Sequence, residues 1–153
     1  GGASGGDLPG WHCTDAFGGT GALGFEAASR GAASVLLCEQ DAALIAQMQA
    51  LKTKLAAEAV RIERGNGVTA LERAPAGSVH AVFLDPPFDS PQLYQPALRA
   101  AVRALRPDGV VYLEAARQWG EEALAPFGLR PFRHLKAGAV HAHLLELASD
   151  STA

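Results

Sequence analysis

Short apolar runs alternate with longer segments of helical spacing along most of this chain, and this alternation constrains the fold more than any other feature. Parallel strands need a long crossover connection, usually a helix, so a strand–helix alternation predicts a mostly parallel sheet. Glycine, proline or acidic residues bound the apolar runs, as expected for buried strands. The predicted strands are about Trp11 to Phe17, Ser34 to Glu39, Val60 to Glu63, Ala81 to Leu84 and Val110 to Glu114.

The segments between and after these strands complete the predicted architecture. Asp41 can cap a helix whose apolar residues recur every three or four positions, and Gly138 predicts a tight turn in the tail. The pattern predicts the α/β class: a doubly wound, mostly parallel, seven-stranded sheet with an antiparallel C-terminal hairpin. The predicted helices are about Ala22 to Arg30, Ala42 to Ala57, a short one carrying Leu71, Pro91 to Leu105 ended by a turn at Arg106–Gly109, and Trp119 to Leu124; the hairpin strands are Leu129 to Lys136 and Ala139 to Leu147.

Length and composition describe one ordinary soluble domain. The chain has 153 residues, 48% of them apolar, and a net charge of −3, so the charge gives no electrostatic footprint for nucleic acid. Residues 7–148 are predicted to form the domain, between a flexible linker or expression scar at 1–6 and a tail at 149–153. No apolar run reaches the length of a membrane span. Cys13 and Cys38 are predicted to be buried free thiols, which indicates a cytoplasmic protein.

The predicted fourth strand runs straight into Asp85-Pro86-Pro87-Phe88. Two prolines cannot continue a sheet ladder, so the strand ends there in a rigid corner at the carboxyl edge of the sheet, where α/β proteins bind ligands. The Asp85 carboxylate and the Pro86 carbonyl are hydrogen-bond acceptors, and Phe88 is an aromatic platform. This combination suits a flat molecule carrying an NH2 group. Taken alone, the corner favours an ordinary Asp-Pro turn, and only the motif upstream favours a binding site.

A glycine-rich turn follows the first predicted strand and opens the first predicted helix. Asp15, Gly19, Gly21 and Gly24 form the pattern Asp-x-x-x-Gly-x-Gly-x-x-Gly, and Glu39 ends the second strand 20 positions after Gly19 (39 − 19). Such glycines let the backbone approach a ligand, and an acid at this distance can bind ribose hydroxyls. The pattern indicates a cofactor that contains adenosine. It fits a nicotinamide dinucleotide and S-adenosylmethionine equally.

Two features favour S-adenosylmethionine over a dinucleotide. Asp15 at the strand end would repel a pyrophosphate and attract an ammonium or sulfonium group. A dehydrogenase also has no need of the Asp-Pro-Pro-Phe corner. Asn66 follows the third strand and is placed either to bind an adenine edge or to form a plain Gly-Asn-Gly turn.

With these motifs the chain resembles class I S-adenosylmethionine-dependent methyltransferases, and among them the bacterial 16S rRNA guanine-N2 methyltransferases of the RsmD type. The resemblance rests on the segment from Asp15 to Ala32, on Glu39 and on Asp85-Pro86-Pro87-Phe88, and it extends from about Leu8 to Leu147. It implies methyl transfer to the N2 amine of a guanine in 16S rRNA, free or in the small-subunit particle, without metal or membrane. The implied cofactor residues are Asp15, Phe17, Gly19, Gly21, Glu39, Asn66 and Asp85; the implied catalytic residues are Asp85, Pro86 and Phe88; the implied substrate residues are Pro87, Phe88 and Tyr94.

Two departures from the family pattern accompany the resemblance. Family members carry a basic, partly helical segment before the first strand, where this sequence has six Gly, Ala and Ser residues, and Gly18 stands where the family usually has alanine. The segment is expected to help bind cofactor and rRNA.

Other functions remain open from the residues alone. The corner could serve an adenine, cytosine or glutamine amide nitrogen, or the domain could bind the cofactor without transferring a methyl group. His141 and His143 share a strand face, but without an acid or cysteine at ligand spacing we predict no metal site.

Overall fold

The computed structural model describes residues 7–148, which form a seven-stranded sheet in the order β3-β2-β1-β4-β5-β7-β6. The first five strands pair in parallel, and β7 pairs antiparallel with both β5 and β6. This is the predicted fold class. The strands are β1 His12–Asp15, β2 Ser34–Glu39, β3 Val60–Arg64, β4 Val79–Leu84, β5 Leu105–Ala115, β6 Leu129–Ala137 and β7 Val140–Leu147.

Helices pack on both faces of the sheet and divide the core in two. One core buries residues of α1 and α2 against β1–β3, with Met48 and Leu37 fully enclosed. The other buries α3, α4 and α5 against β4, β5 and β7. The helices are α1 Ala22–Ser29, α2 Ala42–Leu55, α3 Gly67–Arg73, α4 Tyr94–Ala104 and α5 Glu121–Leu124, with short 3-10 turns at Pro91–Leu93 and Ala125–Phe127.

Local chemistry explains where the longer helices begin and end. The Asp41 carboxylate accepts hydrogen bonds from the N–H groups of Ala43 and Leu44, as an N-cap does, so α2 starts where predicted. Ala56 adopts a left-handed conformation (φ 51°) and ends α2 two residues before the predicted end. Helix α4 buries mainly alanines, which lets it lie close to the sheet.

The predicted turn at Arg106–Gly109 is wrong, because these residues belong to β5. Leu105 already pairs with Val79, and pairing resumes at Ala81 with Val110 after a register shift, so the intervening residues form an irregular start of the strand. The bulge also accommodates Pro107 in a strand. The predicted C-terminal helix was also too long at its start, since α5 begins at Glu121 rather than Trp119.

Three further expectations concern the cysteines, membrane spans and the two ends of the chain. Cys13 and Cys38 are buried and free, as predicted, and burial raises the pKa of their thiols to about 11 and about 12. Within residues 7–148, none of the helices is long and apolar enough to cross a bilayer. The predicted linker at 1–6 and tail at 149–153 lie outside the described residues.

Candidate active site

The carboxyl ends of four neighbouring strands bring four carboxyl groups to one edge of the sheet. Asp15 ends β1, Glu39 ends β2, Asp85 follows β4, and Glu114 lies one residue before the end of β5. The register of β1 pairs Asp15 with Leu37 on one side and Phe83 on the other, so the glycine turn and the Asp-Pro-Pro-Phe corner meet at the same edge. Parallel pairing of adjacent strands requires this arrangement.

The glycine turn is held against β2 by its backbone. The N–H of Gly18 donates to the carbonyl of Cys38 at 2.7 Å, and the N–H of Gly19 donates to Glu39 Oε1 at 2.8 Å. Gly21 has φ 84°, and a Cβ there would lie 2.7 Å from the Phe25 ring, so the turn requires glycine. The turn therefore places the backbone N–H groups at the start of α1 next to the edge of the sheet.

Glu39 is fixed by three backbone N–H groups. Besides Gly19 on Oε1, the N–H groups of Gln40 and Asp41 donate to Oε2, each at 2.9 Å. A carboxylate accepts about four hydrogen bonds, so about one acceptor position of this half-buried group is left for a ligand.

Asp15 is the most buried of the four carboxyl groups, at 3% exposure. One oxygen accepts from the N–H of Phe17 at 3.2 Å. Burial raises the pKa of Asp15 to about 7, the Phe17 N–H opposes this, and the charges of Asp85, Glu39 and Glu114 add to it. A buried carboxyl group with negative neighbours favours a cationic ligand.

No described Lys or Arg forms an ion pair with any of these four carboxyl groups. Within residues 7–148 the ion pairs join other partners, Glu26, Glu63, Asp108 and Glu146 with nearby arginines. The edge therefore carries a concentrated negative charge that the protein itself leaves without an ion-pair partner, which supports the inference of a cationic ligand there.

A cleft of about 210 Å³ opens between the glycine turn and the corner. Gly67 forms part of its floor, and a Cβ at this position would lie 1.8 Å from the carbonyl oxygen of Ala16, so only glycine allows this approach of α3 to β1. Pro87 faces this cleft. The lining residues are Ala16, Phe17, Cys38, Glu39, Gln40, Gly65, Gly67, Pro87, Ser90 and Leu93.

Asn66 lies beside this cleft and caps α3. Its Oδ1 accepts from the N–H groups of Val68 at 2.8 Å and Thr69 at 3.3 Å, and the residue lines a neighbouring cleft together with Arg73. The turn interpretation of Gly-Asn-Gly therefore describes what its side-chain oxygen does.

A second cavity, of about 480 Å³, lies on the other side of the Asp85-Pro86 corner. Phe88 borders it with 93% of its surface exposed. The Tyr94 ring tilts against Trp119 at a centroid distance of 5.6 Å, and the Arg117 guanidinium lies 4.1 Å above the Trp119 ring. The lining residues are Asp85, Pro86, Phe88, Pro91, Tyr94, Gln95, Glu114, Ala115, Ala116, Arg117, Trp119, Ala139 and Val140. This cavity has the aromatic walls and polar floor of a pocket for a planar ligand.

Glu114 interacts with Asp85 at the floor of the aromatic cavity. Partial desolvation, and after it the neighbouring carboxyl group of Glu114, raises the pKa of Asp85 to about 6. The Tyr112 hydroxyl donates to Glu114 Oε1 at 2.7 Å, and the Tyr94 hydroxyl donates to the Glu114 carbonyl at 2.9 Å. The corner is thus supported by a fixed second carboxyl group.

Sequence reasoning did not identify Glu114, Arg117 or Trp119 as site residues. The predicted site residues divide between the two cavities: Phe17, Glu39 and Pro87 line the smaller cleft, and Asp85, Pro86, Phe88 and Tyr94 line the aromatic one. Asp15, Gly19 and Gly21 line neither cavity, and Asn66 lines a neighbouring cleft while its side-chain oxygen caps α3. The signal for Glu114 was present, because an acid near the carboxyl end of the fifth strand must lie beside the end of the fourth. Trp119 is buried at 6% exposure, and its ring also borders the cavity.

Comparison with known proteins finds a matching family model and curated relatives. A family model described as "Conserved hypothetical protein 95" matches residues 3–146. The chain is 36% identical over 104 residues to ribosomal RNA small subunit methyltransferase D of Buchnera aphidicola, an alignment that covers 67% of this chain and 53% of that protein. The chain thus spans about half the length of this curated relative.

Solved structures share the fold. A methyltransferase of Escherichia coli, yhhF, superposes with a TM-score of 0.75 at 27% identity over 93% of this chain and 78% of that one. A Burkholderia thailandensis 1,6-didemethyltoxoflavin-N1-methyltransferase, solved with S-adenosylhomocysteine, superposes with a TM-score of 0.72 at 14% identity, over 92% of this chain and 72% of that one. At that identity the likeness concerns the fold alone.

Proposed function

Since the chain belongs to the conserved hypothetical protein 95 family, the RsmD family of methyltransferases, we propose that it transfers a methyl group from S-adenosylmethionine to the N2 amine of a guanine in 16S rRNA. The observation that carries the proposal is the position of the Asp85-Pro86 corner between two cavities. Phe17 and Glu39 lie on one side, and the aromatic walls lie on the other. A donor and a planar acceptor can therefore approach the corner from opposite sides.

The residues around the smaller cleft fit S-adenosylmethionine. This cofactor supplies a methyl group on a sulfonium, and its amino acid part carries an ammonium. Asp15 and Glu39 offer the negative charge that such a cation needs, and the remaining acceptor position of Glu39 suits a ribose hydroxyl. Asn66 remains a predicted adenine contact, for which only its amide NH2 group is free of the α3 cap.

The corner offers two acceptors to the target amine. Pro86 is buried, so its backbone is held firmly, while Asp85 projects from the end of β4 into the cavity. The lone pair of a guanine amine is delocalised into the ring and is a weak nucleophile. Acceptors on both of its hydrogens favour a pyramidal nitrogen, and Asp85 can take the proton that leaves after the methyl group arrives.

Positioning supplies the rest of the acceleration in this proposal. Holding two reactants in line is equivalent to effective concentrations of about 10⁵ M or more. Phe88, with its ring almost wholly exposed, is the proposed stacking surface for the target base, and Tyr94 closes the opposite wall. Because a paired base hides its amine, the target guanine must be unstacked or in a loop.

Asp85→Ala tests the assignment. We expect methyl transfer to small-subunit RNA to fall at least about 100-fold, because the amine loses its acceptor and the proton its base. Cofactor affinity, measured by calorimetry, should change less than about threefold. Asp108→Ala is the matched control, since Asp108 lies on the exposed start of β5.

Four substrates separate the alternatives. Transfer to purified small subunits or their naked rRNA supports the proposal, whereas transfer only to DNA or to a protein amide identifies another planar nitrogen as the target. Cofactor binding without transfer to any of them would identify a binding module. Near-normal turnover by Asp85→Ala would refute the role of the corner.

A further inference from the structure

The carboxyl group of Glu114 stands next to that of Asp85 at the floor of the aromatic cavity, and the proposed reaction uses only Asp85. Both residues line this cavity, and they follow Leu84 and Leu113, which are paired in the register of β4 with β5, so they lie side by side. When both are ionised, the hydrogens must come from whatever occupies the cavity.

Glu114 is held in place by two tyrosines. The Tyr112 hydroxyl donates to Oε1 of the side chain at 2.7 Å, and the Tyr94 hydroxyl donates to the backbone carbonyl at 2.9 Å. The Tyr112 ring is itself packed edge-on against Phe83 of the neighbouring strand, at a centroid distance of 6.3 Å. Glu114 is therefore a fixed acceptor, and a fixed acceptor selects ligands by what they present to it.

Two acceptors side by side match one nucleobase edge. Guanine presents two adjacent donors, the N1–H and the N2 amine. Adenine and cytosine each present an amine beside a ring nitrogen with a lone pair, which a second carboxylate would repel. Next to N1–H, guanine carries the acceptor O6, and Arg117 brings N–H donors into the same cavity.

We propose that Glu114 accepts the N1–H of the target guanine while Asp85 accepts from its N2 amine, so that Glu114 makes the pocket selective for guanine. The inference rests on the proposed function, and it names the residue that makes the pocket select guanine over other planar amines. In this proposal Glu114 determines specificity and takes no part in the proton transfer. The methyl group leaves sulfur and bonds to N2, the N2 proton passes to Asp85, and the N1–H bond remains intact throughout.

The nucleotide 2-aminopurine riboside 5′-monophosphate tests this contact. It keeps the 2-amine of guanine but has a lone pair at N1 in place of the N–H and a hydrogen in place of O6, so the change in preference between protein variants isolates the N1 contact. We expect the unmodified protein to bind guanosine 5′-monophosphate about 10-fold or more tightly than this analogue in nuclear magnetic resonance titrations, because a charged acceptor facing a lone pair is unfavourable.

Glu114→Gln should reduce the preference at least about fivefold, since a glutamine can turn its NH2 group toward the N1 lone pair. The analogue should bind more tightly than it does to the unmodified protein, and the part of the preference that comes from O6 should remain. Glu121→Gln, on the exposed first turn of α5, is the matched control and should keep the preference.

Tyr112→Phe is a second variant that tests the same contact if Glu114→Gln has a folding defect. It removes only the hydroxyl that positions Glu114 Oε1, and it should reduce the preference about threefold while the unfolding midpoint stays close to that of the unmodified protein. An equal preference before and after Glu114→Gln, or no preference in the unmodified protein, overturns the inference.

The two proposals fail in different measurements. If the nucleotide preference depends on Glu114 but the protein transfers no methyl group to small-subunit RNA, the pocket assignment stands and the proposed reaction is wrong. If methyl transfer to rRNA occurs and the preference ignores Glu114, the reaction stands and this inference is wrong.

Discussion

The free energy of unfolding of the ligand-free Asp15→Asn variant should rise, relative to that of the unmodified protein, as the pH increases from acidic to alkaline. Asp15 is 3% exposed, and its carboxyl group has an ordinary pKa of 3.8 that burial raises to about 7 in the folded protein. The folded state thus holds a proton that the unfolded chain releases. Asparagine keeps the oxygen that accepts from the Phe17 N–H but carries no charge at any pH.

The size of the effect follows from the two pKa values. Each pH unit between them is worth 1.36 kcal/mol, so ionising Asp15 costs the folded protein about 4 kcal/mol once the pH exceeds its folded pKa. The stability associated with the neutral carboxyl group is complete below a pH of about 4 and is lost as the pH rises to about 7. At about pH 5 the cost is about 2 kcal/mol, so the advantage of asparagine should widen by about 2 to 3 kcal/mol between about pH 5 and pH 8.

Urea unfolding followed by the fluorescence of Trp11 and Trp119 measures this difference. The buried NH2 group of asparagine adds a fixed offset, so the widening with pH is the informative quantity. Asp108→Asn on the exposed start of β5 should show no widening. A difference between Asp15→Asn and the unmodified protein that stays constant from about pH 5 to pH 8 would refute the buried-carboxyl argument. The same substitution should weaken cofactor binding, since stability and function trade off at such sites.

Three further predictions concern the supports of the site. Glu39→Ala should weaken cofactor binding at least about 10-fold by calorimetry, because it removes the proposed ribose acceptor and the anchor of the glycine turn; unchanged affinity would contradict this role. Gly67→Ala should lower the free energy of unfolding by about 3 kcal/mol or more, since its Cβ would meet the carbonyl of Ala16, whereas Gly120→Ala, with open space around its Cβ, should cost less than about 1 kcal/mol in the same urea titration. His143→Ala should cost about 2 to 5 kcal/mol by leaving unpaired the two buried backbone groups that its ring bonds, the N–H of Trp119 and the carbonyl of Leu113; a loss below about 1 kcal/mol in urea unfolding would contradict it.

The fold and the glycine turn could be predicted because their signals are local. An apolar run that ends in Asp85-Pro86-Pro87 is a strand with a fixed end, and Asp41 before a helical period is a helix start. The strand start at Leu105 could not be predicted in this way. Its pairing with Val79 comes from the neighbouring strand, while Pro107 and Gly109 favour a turn when considered alone.

The role of Asn66 shows the same limit inside the site. The sequence allowed an adenine contact or a turn, and the structure assigns its oxygen to the cap of α3. A cap depends on whether a helix begins immediately afterwards, and α3 can begin against the backbone of Ala16 only because residue Gly67 has no side chain. The competing partner is distant in sequence, so no local pattern contains it.

The sequence by itself determined that carboxyl groups end several parallel strands, because each strand is marked by its own apolar run and its own breaker. Only the tertiary structure decided which of these groups lie next to one another. Asp85 and Glu114 are 29 positions apart (114 − 85), and they meet because β4 and β5 are neighbours whose register pairs Leu84 with Leu113. Strand order and register are set by how the whole core packs, so contacts across the sheet emerge only when the chain is folded.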